Sequence, residues 1–260
     1  MSVRLDIVIP AHNEEHRIGP TLAAYRAGCP DPGCRFLVGL DNCTDSTARV
    51  VEEHARADER VLKFEYPKLG KGGVIMETFR HCDADLIAFV DADCATLPNE
   101  MLRLAQAAAT ADGAIASRRH PAALVPRRRS LARRIASAGF AFGVRRVFRL
   151  PYTDTQCGAK VMRRDVVGRV LPLLSSRDLL FDVDLLLTAR NLGYKVVEVP
   201  TIWIDRDGSR VEALTDARKM GFSLLRLWLH HRVLPVETEG IAPPSKVARE
   251  KDEESTYVST

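Results

Sequence analysis

Short apolar runs alternate with segments of helical periodicity through the first third of the chain. The apolar runs predict four β-strands, over residues 5–10, 35–40, 61–65 and 86–90. The periodic segments predict helices over residues 14–27, 44–57 and 72–82, and Thr44 or Asp45 would cap the second of them. Strands and helices that alternate at this interval are typical of parallel βαβ units. We therefore expect an α/β fold with a doubly wound, Rossmann-like, mainly parallel sheet flanked by helices.

The fourth predicted strand ends in two carboxylates, Asp91 and Asp93, which are separated by one residue. In extended chain this spacing directs both side chains to one side, and ligands of open α/β sheets lie beyond the carboxyl ends of the strands. Two like charges there repel each other unless a cation lies between them. Mg²⁺ or Mn²⁺ meets this need, because such ions combine carboxylates with phosphate oxygens of a ligand. An ordinary surface turn is the alternative, and the buried strand favours the metal site.

The other three predicted strands are also followed by polar or glycine-rich turns, over residues 10–15, 41–45 and 67–73. Each of these turns alone is typical of a plain connector. In a parallel sheet all four turns would meet at one edge, which predicts a shared ligand site there.

Length and composition indicate one large globular domain, or one with a small appendage: the chain has 260 residues, of which 46% are hydrophobic. It has no apolar run of about 20 residues that would cross a bilayer, and its N-terminus lacks a signal-peptide pattern. The six cysteines have no metal-site spacing, which indicates reduced thiols and a cytoplasmic location. The adjacent His230 and His231 are interpreted as surface residues. Residues 237–260 are polar and charged, so we expect a disordered tail.

The basic residues are distributed unevenly along the chain. Ten arginines and no acidic residue lie between Asp112 and Asp154, although the whole chain has a net charge of +4. Within this basic arm, defined as residues 119–150, a helical apolar stripe is formed by Leu131, Ile135, Ala138 and Phe142. A basic amphipathic helical insertion of this kind is typical of a segment that lies in an anionic membrane interface. A solvated face on a core helix is the alternative, and a second basic helix over residues 214–234 fits either description equally well.

The order of the four turn motifs, VIPAHNEE, DNCTDST, GKGG and DAD, resembles the nucleotide-sugar half of family 2 glycosyltransferases with the GT-A fold. Farther along, DTQCG, FDVD and WIDRDGSR are similar to acceptor-side motifs of dolichyl-phosphate glucosyl- and mannosyltransferases and their bacterial polyprenyl-phosphate relatives. The resemblance covers residues 5–211 and is specific, because many spaced motifs agree in order. Asn42 and Cys43 replace the usual Gly-Ser of the second motif, and asparagine tolerates the left-handed backbone that such a turn needs.

This resemblance implies an inverting, metal-dependent hexosyltransferase that moves a sugar from a nucleotide-diphosphate donor to a polyprenyl or dolichyl phosphate at the membrane surface. DTQCG favours UDP-glucose over GDP-mannose as the donor. The enzyme would act peripherally on the inner face of the membrane, alone or with a separate membrane protein. It would have a single domain with a donor half at residues 1–118, the basic arm, and an acceptor half at residues 151–236.

The same resemblance implies roles for individual residues. The residues implied at the nucleotide sugar are Pro10, His12, Glu14, Asp41, Lys71, Asp91, Ala92, Asp93 and Arg118. The residues implied at the acceptor or its phosphate are Gln156, Arg206, Ser209, Arg210, Arg127 and Arg133. Asp91 and Asp93 would hold the cation that stabilises the diphosphate leaving group. Asp154 is the leading candidate for a general base, which a hydroxyl acceptor needs and an already anionic lipid phosphate does not; an Asx-turn is its alternative role.

Several other functions are compatible with the same sequence. A family 2 enzyme with a soluble hydroxyl acceptor would keep the donor motifs. A nucleic-acid-binding protein would use the basic arm, but the arm lacks interleaved aromatic residues and the acidic edge repels a phosphate backbone, so we expect no nucleic-acid partner. A nucleotidyltransferase would need a glycine-rich loop after the first strand, where residues 10–13 are PAHN. A catalytically inactive membrane scaffold would need neither the acidic pair nor Asp154.

Overall fold

The computed structural model describes residues 3–126, 131–204 and 215–233; for residues 131–137, 215–220, 222 and 233 it describes the backbone alone. Seven strands are present in these ranges: β1 (Leu5–Ala11), β2 (Cys34–Asp41), β3 (Val61–Tyr66), β4 (Leu86–Val90), β5 (Gly113–Ser117), β6 (Ala159–Arg163) and β7 (Val196–Pro200). The helices are α1 (Ile18–Gly28), α2 (Thr47–Ala57), α3 (Gly70–Phe79), α4 (Pro98–Ala109), α5 (Leu131–Phe148), α6 (Arg164–Val170), α7 (Phe181–Asn191) and α8 (Thr215–Val233).

All seven strands form one sheet in the order β3-β2-β1-β4-β6-β5-β7. β1 pairs in parallel with β2 and β4, and β2 pairs in parallel with β3, so these four strands end at the same edge. We call this edge the carboxyl edge. β6 runs antiparallel between β4 and β5, which brings the start of β6 to the carboxyl edge as well. The predicted doubly wound, mainly parallel α/β sheet is confirmed.

Apolar side chains cover both faces of the sheet and alternate along its strands. Ile7 and Ile9 of β1 belong to one core layer with α1, α2 and α4, whereas Val8 between them belongs to a second layer with α3, α6 and α7. Because helices cover both faces, the central strands have continuous apolar runs instead of alternating apolar and polar residues.

β5, β6, α4 and α6 are not among the elements predicted above. β5 has the sequence GAIAS, and β6 contains Lys160 inside an apolar run, so both are poor in the β-branched residues that favour strands. Helix starts also differ, since α3 begins at Gly70 and Lys71 therefore lies in a helical turn and not in a loop. α2 begins at Thr47, whose amide donates to Asp45 Oδ1 at 3.0 Å, although Ser46 is the capping position.

The helix of the basic arm, α5, contacts α8 beside the second core layer. Val144 of α5 and Leu227 of α8 are buried there, whereas Phe142 and Leu229 are exposed. In the predicted apolar stripe Ala138 and Phe142 are exposed, and the side chains of Leu131 and Ile135 lie outside the described part of the structure. None of the helices within the described ranges is long and apolar enough to cross a membrane.

The interpretation of His231 as a surface residue is wrong. His231 Nε2 lies 2.8 Å from Oδ1 of Asp184, whose side chain is fully buried. The amides of Ser175 and Ser176 also donate to this carboxylate. Burial tends to raise the pKa of Asp184, but His231 and the two amides hold it below its ordinary value. The adjacent positions of His230 and His231 argue against a metal site, but one of the two can still pair with a buried carboxylate. The contact between His231 and Asp184 attaches α8 to α7.

Candidate active site

The loops that follow β1, β2, β3 and β4 meet at the carboxyl edge, as the strand pattern predicts. After β1, His12 Nδ1 lies 2.6 Å from the backbone carbonyl of Asp41 at the end of β2. Because a carbonyl oxygen only accepts, Nδ1 carries the proton in this contact. Asn13 and Asn42 have positive φ angles of 55° and 49°, so asparagine provides the left-handed residue in both loops, as expected for Asn42.

Asp41 connects the loop after β2 to the start of α3. Its buried carboxylate accepts hydrogen bonds from the amides of Leu69 and Gly70 at 2.6 and 3.2 Å. These amides begin α3, where the unpaired N–H groups of a helix favour an anion. Lys68 Nζ lies 3.4 Å from the same carboxylate. Asp41 therefore fixes the start of α3, and with it the position of Lys71, while its contact with a nucleobase stays a prediction.

Asp91 and Asp93 follow β4, but strand alternation does not explain their directions, because β4 ends at Val90. They lie on a turn in which Asp93 Oδ1 accepts from the amide of Ala95 at 3.0 Å. Burial, and then the charge of Asp91, raise the pKa of Asp93. The Asp91 amide donates to the carbonyl of Gly158 at 3.1 Å, and a Cβ on Gly158 would collide with the Asp91 carboxylate. The start of β6 therefore fixes the place of Asp91.

Lys71 lies between two carboxylates. Its Nζ is 2.7 Å from Asp91 Oδ1 and 3.7 Å from Asp182 Oδ2. Burial tends to lower the pKa of Lys71, but the charges of Asp91 and Asp182 raise it above its ordinary value. Asp182 also pairs with Lys160, which is 1% exposed. The four side chains form an alternating lysine–aspartate row from the core to the carboxyl edge, in the order Lys160, Asp182, Lys71 and Asp91.

Arg118 and Asp154 form a bidentate ion pair. Arg118 Nε and Nη2 donate to Asp154 Oδ2 and Oδ1 at 2.7 and 2.9 Å, and the Arg118 amide donates to Oδ2 at 3.1 Å. The guanidinium carbon lies 4.9 Å from the ring centroid of Trp203. Burial tends to raise the pKa of Asp154, but the charge and hydrogen bonds of Arg118 hold it below its ordinary value. A carboxylate with a low pKa is a weak base, so this arrangement does not favour proton removal by Asp154.

Glu198 of β7 holds the loop that carries Asp154. Its Oε1 accepts hydrogen bonds from the amides of Thr153 and Asp154 at 3.0 and 2.9 Å. The Asx-turn interpretation of Asp154 is wrong, because its carboxylate oxygens bond to Arg118 from another part of the chain. Glu198 thus orients the loop, and the loop in turn presents Asp154 to Arg118.

The remaining predicted residues are distributed around this centre. Pro10 is half-buried at the end of β1, and Glu14 Oε2 lies 3.1 Å from Arg17. Ala92 packs its methyl group into the core, so we interpret it as a spacer between the two aspartates. Gln156 is half-buried in the loop before β6. Four of the residues predicted at the acceptor lie outside the described ranges, namely Arg127, Arg206, Ser209 and Arg210. A fifth, Arg133, has only its backbone described.

The sequence motifs do not predict the roles of Lys160, Asp182 and Glu198. A lysine inside an apolar strand is a signal in itself, because a buried lysine needs a counter-ion. Its partner is not readable from the sequence, since Lys160 and Asp182 are separated by 22 positions and meet only in the folded chain.

The carboxylates Asp91 and Asp93 fit Mg²⁺ or Mn²⁺. Burial is the larger cause of the raised pKa of Asp93 and the charge of Asp91 the smaller one, and a cation would relieve the repulsion between the two carboxylates. Over the described part of the chain, no group of three or more His, Cys, Asp or Glu side chains could hold a metal ion. Two protein carboxylates are nevertheless enough for Mg²⁺ where a ligand supplies phosphate oxygens. The site is thus suited to a cation that arrives with, or is completed by, a diphosphate.

Residues 6–171 match the family described as Glycosyl transferase family 2. The chain belongs to this glycosyltransferase family. In this glycosyltransferase the matched range includes the four loops of the carboxyl edge, the Arg118–Asp154 pair and Lys160. Asp182 and Trp203 lie after the end of the matched range.

The glycosyltransferase is similar to several curated proteins. It is 26% identical over 240 residues to glycosyltransferase AglD of Haloferax volcanii, and the alignment covers 90% of this chain and 38% of AglD. It is 30% identical over 250 residues to a dolichyl-phosphate beta-glucosyltransferase of Drosophila melanogaster, with 89% of this chain and 76% of that protein covered. It is 29% identical over 210 residues to an undecaprenyl-phosphate mannosyltransferase of Micrococcus luteus, with 79% and 85% covered. The chain thus spans little more than a third of AglD and most of the other two proteins.

Solved structures share the architecture of the glycosyltransferase. Glucosyl-3-phosphoglycerate synthase from Mycobacterium tuberculosis, in complex with Mn²⁺, UDP and glucosyl-3-phosphoglycerate, has a TM-score of 0.61 at 15% identity over 87% of this chain and 79% of that chain. Mannosyl-3-phosphoglycerate synthase from Rubrobacter xylanophilus has a TM-score of 0.55 at 15% identity over 99% and 76%. The GT-A fold is thereby confirmed.

Proposed function

We propose that this glycosyltransferase moves a hexose from a nucleotide-diphosphate sugar to a polyprenyl phosphate at a membrane surface, with inversion at the anomeric carbon. Two relatives are named for such acceptors, one for dolichyl phosphate and one for undecaprenyl phosphate. The observation that carries the proposal is the Arg118–Asp154 ion pair, because it bears on the kind of acceptor that the site can use.

A hydroxyl acceptor and a phosphate acceptor make different demands on the site. A hydroxyl must lose its proton to a general base, whereas a lipid monophosphate is already anionic near neutral pH and attacks without one. Asp154 has its oxygens engaged by Arg118 and has a lowered pKa. A phosphate acceptor makes the base unnecessary, and Arg118 provides positive charge that helps to position it. This supports the lipid phosphate over a soluble hydroxyl acceptor.

The donor is proposed to bind in the loops after β1, β2, β3 and β4. Asp91 and Asp93 would hold Mg²⁺ or Mn²⁺, which when bound stabilises the negative charge on the departing diphosphate. Lys71, 2.7 Å from Asp91, adds a second positive charge beside that position. His12 and Asp41 would face the nucleoside, together with Pro10 and Glu14. UDP-glucose is the favoured donor because the DTQCG motif resembles the glucosyl branch, and the Drosophila relative is named a glucosyltransferase. GDP-mannose is the alternative.

The exposed sides of α5 and α8 are proposed to contact an anionic membrane. We define the interfacial surface as the exposed apolar residues of these two helices, Phe142, Val147, Leu225 and Leu229. Arg145, Arg146 and Arg226 are exposed beside them. Apolar residues next to arginines on one helical surface are typical of interfacial helices, and each basic residue near an anionic leaflet contributes about 1 kcal/mol. The enzyme would then act peripherally on the inner face of the membrane, alone or with a separate membrane protein.

Residues 1–236 are proposed to act as one catalytic domain. β6, from the acceptor half, lies between β4 and β5 of the donor half, so the two halves share one sheet. The basic arm is then a connection within this domain, and not a domain of its own.

A panel of radiolabelled nucleotide sugars tests the proposal. Each donor is incubated with the protein, Mn²⁺ and either a polyprenyl phosphate or the matching polyprenol, and the lipid phase is extracted. We expect labelled lipid from UDP-glucose with the phosphate alone, and its release by a β-specific glucosidase would establish inversion. Label on the polyprenol would indicate a hydroxyl acceptor, and no labelled lipid with any donor would overturn the proposal.

A further inference from the structure

The inner half of the lysine–aspartate row lies in the core, where charged side chains need a reason to be present. Lys160 is 1% exposed and Asp182 is 3% exposed. An ion pair at this depth contributes little net stability, because removal of both charges from water offsets their attraction. Stability therefore does not explain why Lys160 and Asp182 are charged. We look for the explanation in their contacts with the residues of the carboxyl edge.

Asp182 divides its two oxygens between two lysines. Oδ1 accepts from Lys160, whose Nζ also donates to the carbonyl of Cys157 at 2.8 Å. Oδ2 faces Lys71 Nζ at 3.7 Å. Burial raises the pKa of the Cys157 thiol to about 12, so this thiol stays neutral and does not replace Asp182 as the counter-ion of Lys160. Lys160 thus fixes one oxygen of Asp182 and leaves the other directed at Lys71.

Close backbone packing brings Lys71 next to Asp182. A Cβ on Gly72 would lie 2.6 Å from the Cβ of Phe181 and 2.8 Å from the carbonyl oxygen of Ser176. Only glycine allows this approach between the first turns of α3 and α7. Lys71 precedes Gly72 and Asp182 follows Phe181, so the contact of the two helices sets the distance between the two charged side chains.

Lys71 and a divalent cation would compete for Asp91. The Lys71 ammonium is in contact with the carboxylate that would hold the cation, and two positive charges on one carboxylate repel each other. We propose that Asp182, fixed by Lys160, is a positioning residue that takes the Lys71 ammonium from Asp91 when a divalent cation binds. Lys71 then faces the donor diphosphate without blocking the cation. This inference rests on the proposed cation site at Asp91 and Asp93.

The test is a titration of the purified full-length protein with Mn²⁺ at a fixed, saturating concentration of UDP, which supplies the phosphate oxygens. Free Mn²⁺ is followed by its electron paramagnetic resonance signal, and the Mn²⁺ that UDP binds without protein is subtracted. In Asp182→Asn, Lys71 loses its second partner and stays on Asp91, so we expect Mn²⁺ to bind about tenfold more weakly than in the wild type. In Lys71→Met/Asp182→Asn the competitor is also removed. We expect the affinity of this double variant to lie within about threefold of that of Lys71→Met.

Asp184→Asn is the matched control. It makes the same substitution at another buried aspartate of α7, whose partner is His231 and not Lys71, and we expect wild-type Mn²⁺ affinity. If Asp182→Asn fails to fold because Lys160 is left unpaired, Lys160→Met/Asp182→Asn replaces the buried pair by neutral groups. We expect the same loss of Mn²⁺ affinity in that variant.

Two results would overturn the positioning role while leaving the proposed function intact. One is wild-type Mn²⁺ affinity in Asp182→Asn or, if that variant does not fold, in Lys160→Met/Asp182→Asn. The other is an affinity in Lys71→Met/Asp182→Asn as low as in Asp182→Asn, which would mean that Asp182 acts through the fold and not through Lys71. A wild-type protein that binds neither Mn²⁺ nor UDP would overturn the proposed function, and this inference with it.

Discussion

At the scale of single residues, the contact between Gly158 and the Asp91 carboxylate leaves no room for a methyl group at position 158. A Cβ at position 158 would collide with Asp91 Oδ2, so Gly158→Ala should displace the carboxylate. We expect Mn²⁺ affinity and transfer to fall about tenfold or more, since overpacking of this kind costs about 1–3 kcal/mol. Gly168→Ala is the control, because a Cβ there meets no atom within 4 Å. It should keep full activity and gain up to about 1 kcal/mol in stability; equal activity in the two variants would contradict the contact.

Asp91 and Asp93 themselves are expected to be essential for transfer and dispensable for folding. Asp91→Asn or Asp93→Asn should lower transfer by about a hundredfold or more, because a neutral amide is a poor ligand for the cation that stabilises the leaving diphosphate. Asp85→Asn is the control, since this exposed acid precedes the same strand at its opposite end. Transfer is measured by lipid extraction and folding by thermal unfolding. Full activity of either variant, or of the wild type in excess EDTA, would refute the metal assignment.

Asp154 is expected to act on transfer more than on donor binding. Asp154→Asn removes the charge that holds Arg118, and loss of a charge-assisted hydrogen bond costs about 2 kcal/mol, or roughly thirtyfold in rate. We therefore expect kcat for lipid transfer to fall while the affinity for UDP, measured by calorimetry, stays near that of the wild type. Normal kcat with weakened UDP binding would instead assign Asp154 to the donor site.

The roles of single residues were predictable where the neighbouring sequence indicates the local structure. The acidic pair follows directly from a buried strand, and Asn42 follows from a turn that needs a left-handed residue. Lys160 and Asp182 were not predictable as partners, because their pairing depends on the antiparallel entry of β6 and on the approach of α7. Local patterns contain no information about such contacts.

At the element scale, the interfacial surface makes a prediction about membrane binding. Phe142→Ser/Leu225→Ser/Leu229→Ser should weaken binding to anionic liposomes by about tenfold or more, because burial of each large apolar side chain contributes about 1.5–3 kcal/mol. Arg145→Gln/Arg146→Gln should act mainly at low salt, since charges are screened beyond about 8 Å at physiological ionic strength. Co-sedimentation over a salt series measures both effects.

Val3→Ser is the control for this surface. Val3 is 55% exposed and precedes β1, away from the carboxyl edge, so its loss should leave liposome binding unchanged. If the triple serine variant sedimented with anionic liposomes as completely as the wild type, α5 and α8 would have solvated outer faces and the membrane proposal would fail.

Elements with strong periodicity were predictable, and elements with mixed composition were not. β1, β2 and β4 follow from their apolar runs to within a residue or two, because both faces of each of these strands are buried. β3 is predicted equally well, although it lies at one end of the sheet and is only partly buried. β5 is built of small residues and β6 includes a lysine, so neither has the composition of a buried strand. β5 and β6 therefore depend on tertiary contacts that periodicity does not register.

At the scale of the whole molecule, the attachment of α8 to α7 predicts a pH dependence of stability. The pKa of Asp184 in the folded chain lies below its ordinary value of 3.8. Its contribution is therefore present above that pH and is lost as the pH falls through the folded pKa. Asp184→Asn should lower the free energy of unfolding by about 2 kcal/mol at neutral pH and flatten its decline below about pH 4. Urea unfolding at a series of pH values measures both.

Leu227→Ala separates this effect from a simple loss of packing on α8. Leu227 is 1% exposed, so the truncation should cost about 3 kcal/mol without changing a titratable group. Its stability should then decline with acid as steeply as that of the wild type. An equally steep decline in Asp184→Asn would show that the buried carboxylate does not couple folding to protons.

The antiparallel course of β6 leaves the length of the segment between β5 and β6 free to vary. The end of β5 and the start of β6 are neighbours at the carboxyl edge, so the register of the sheet does not depend on the length of the chain that joins them. For a flexible connection, each doubling in length costs only about 0.6 kcal/mol of closure entropy. We therefore expect the sheet to tolerate insertions in this segment where they leave Arg118, Asp154 and Gly158 in place. An insertion ahead of α5 should therefore leave the Mn²⁺ affinity at Asp91 and Asp93 unchanged, whereas replacement of the whole segment, which includes Gly158, should lower it.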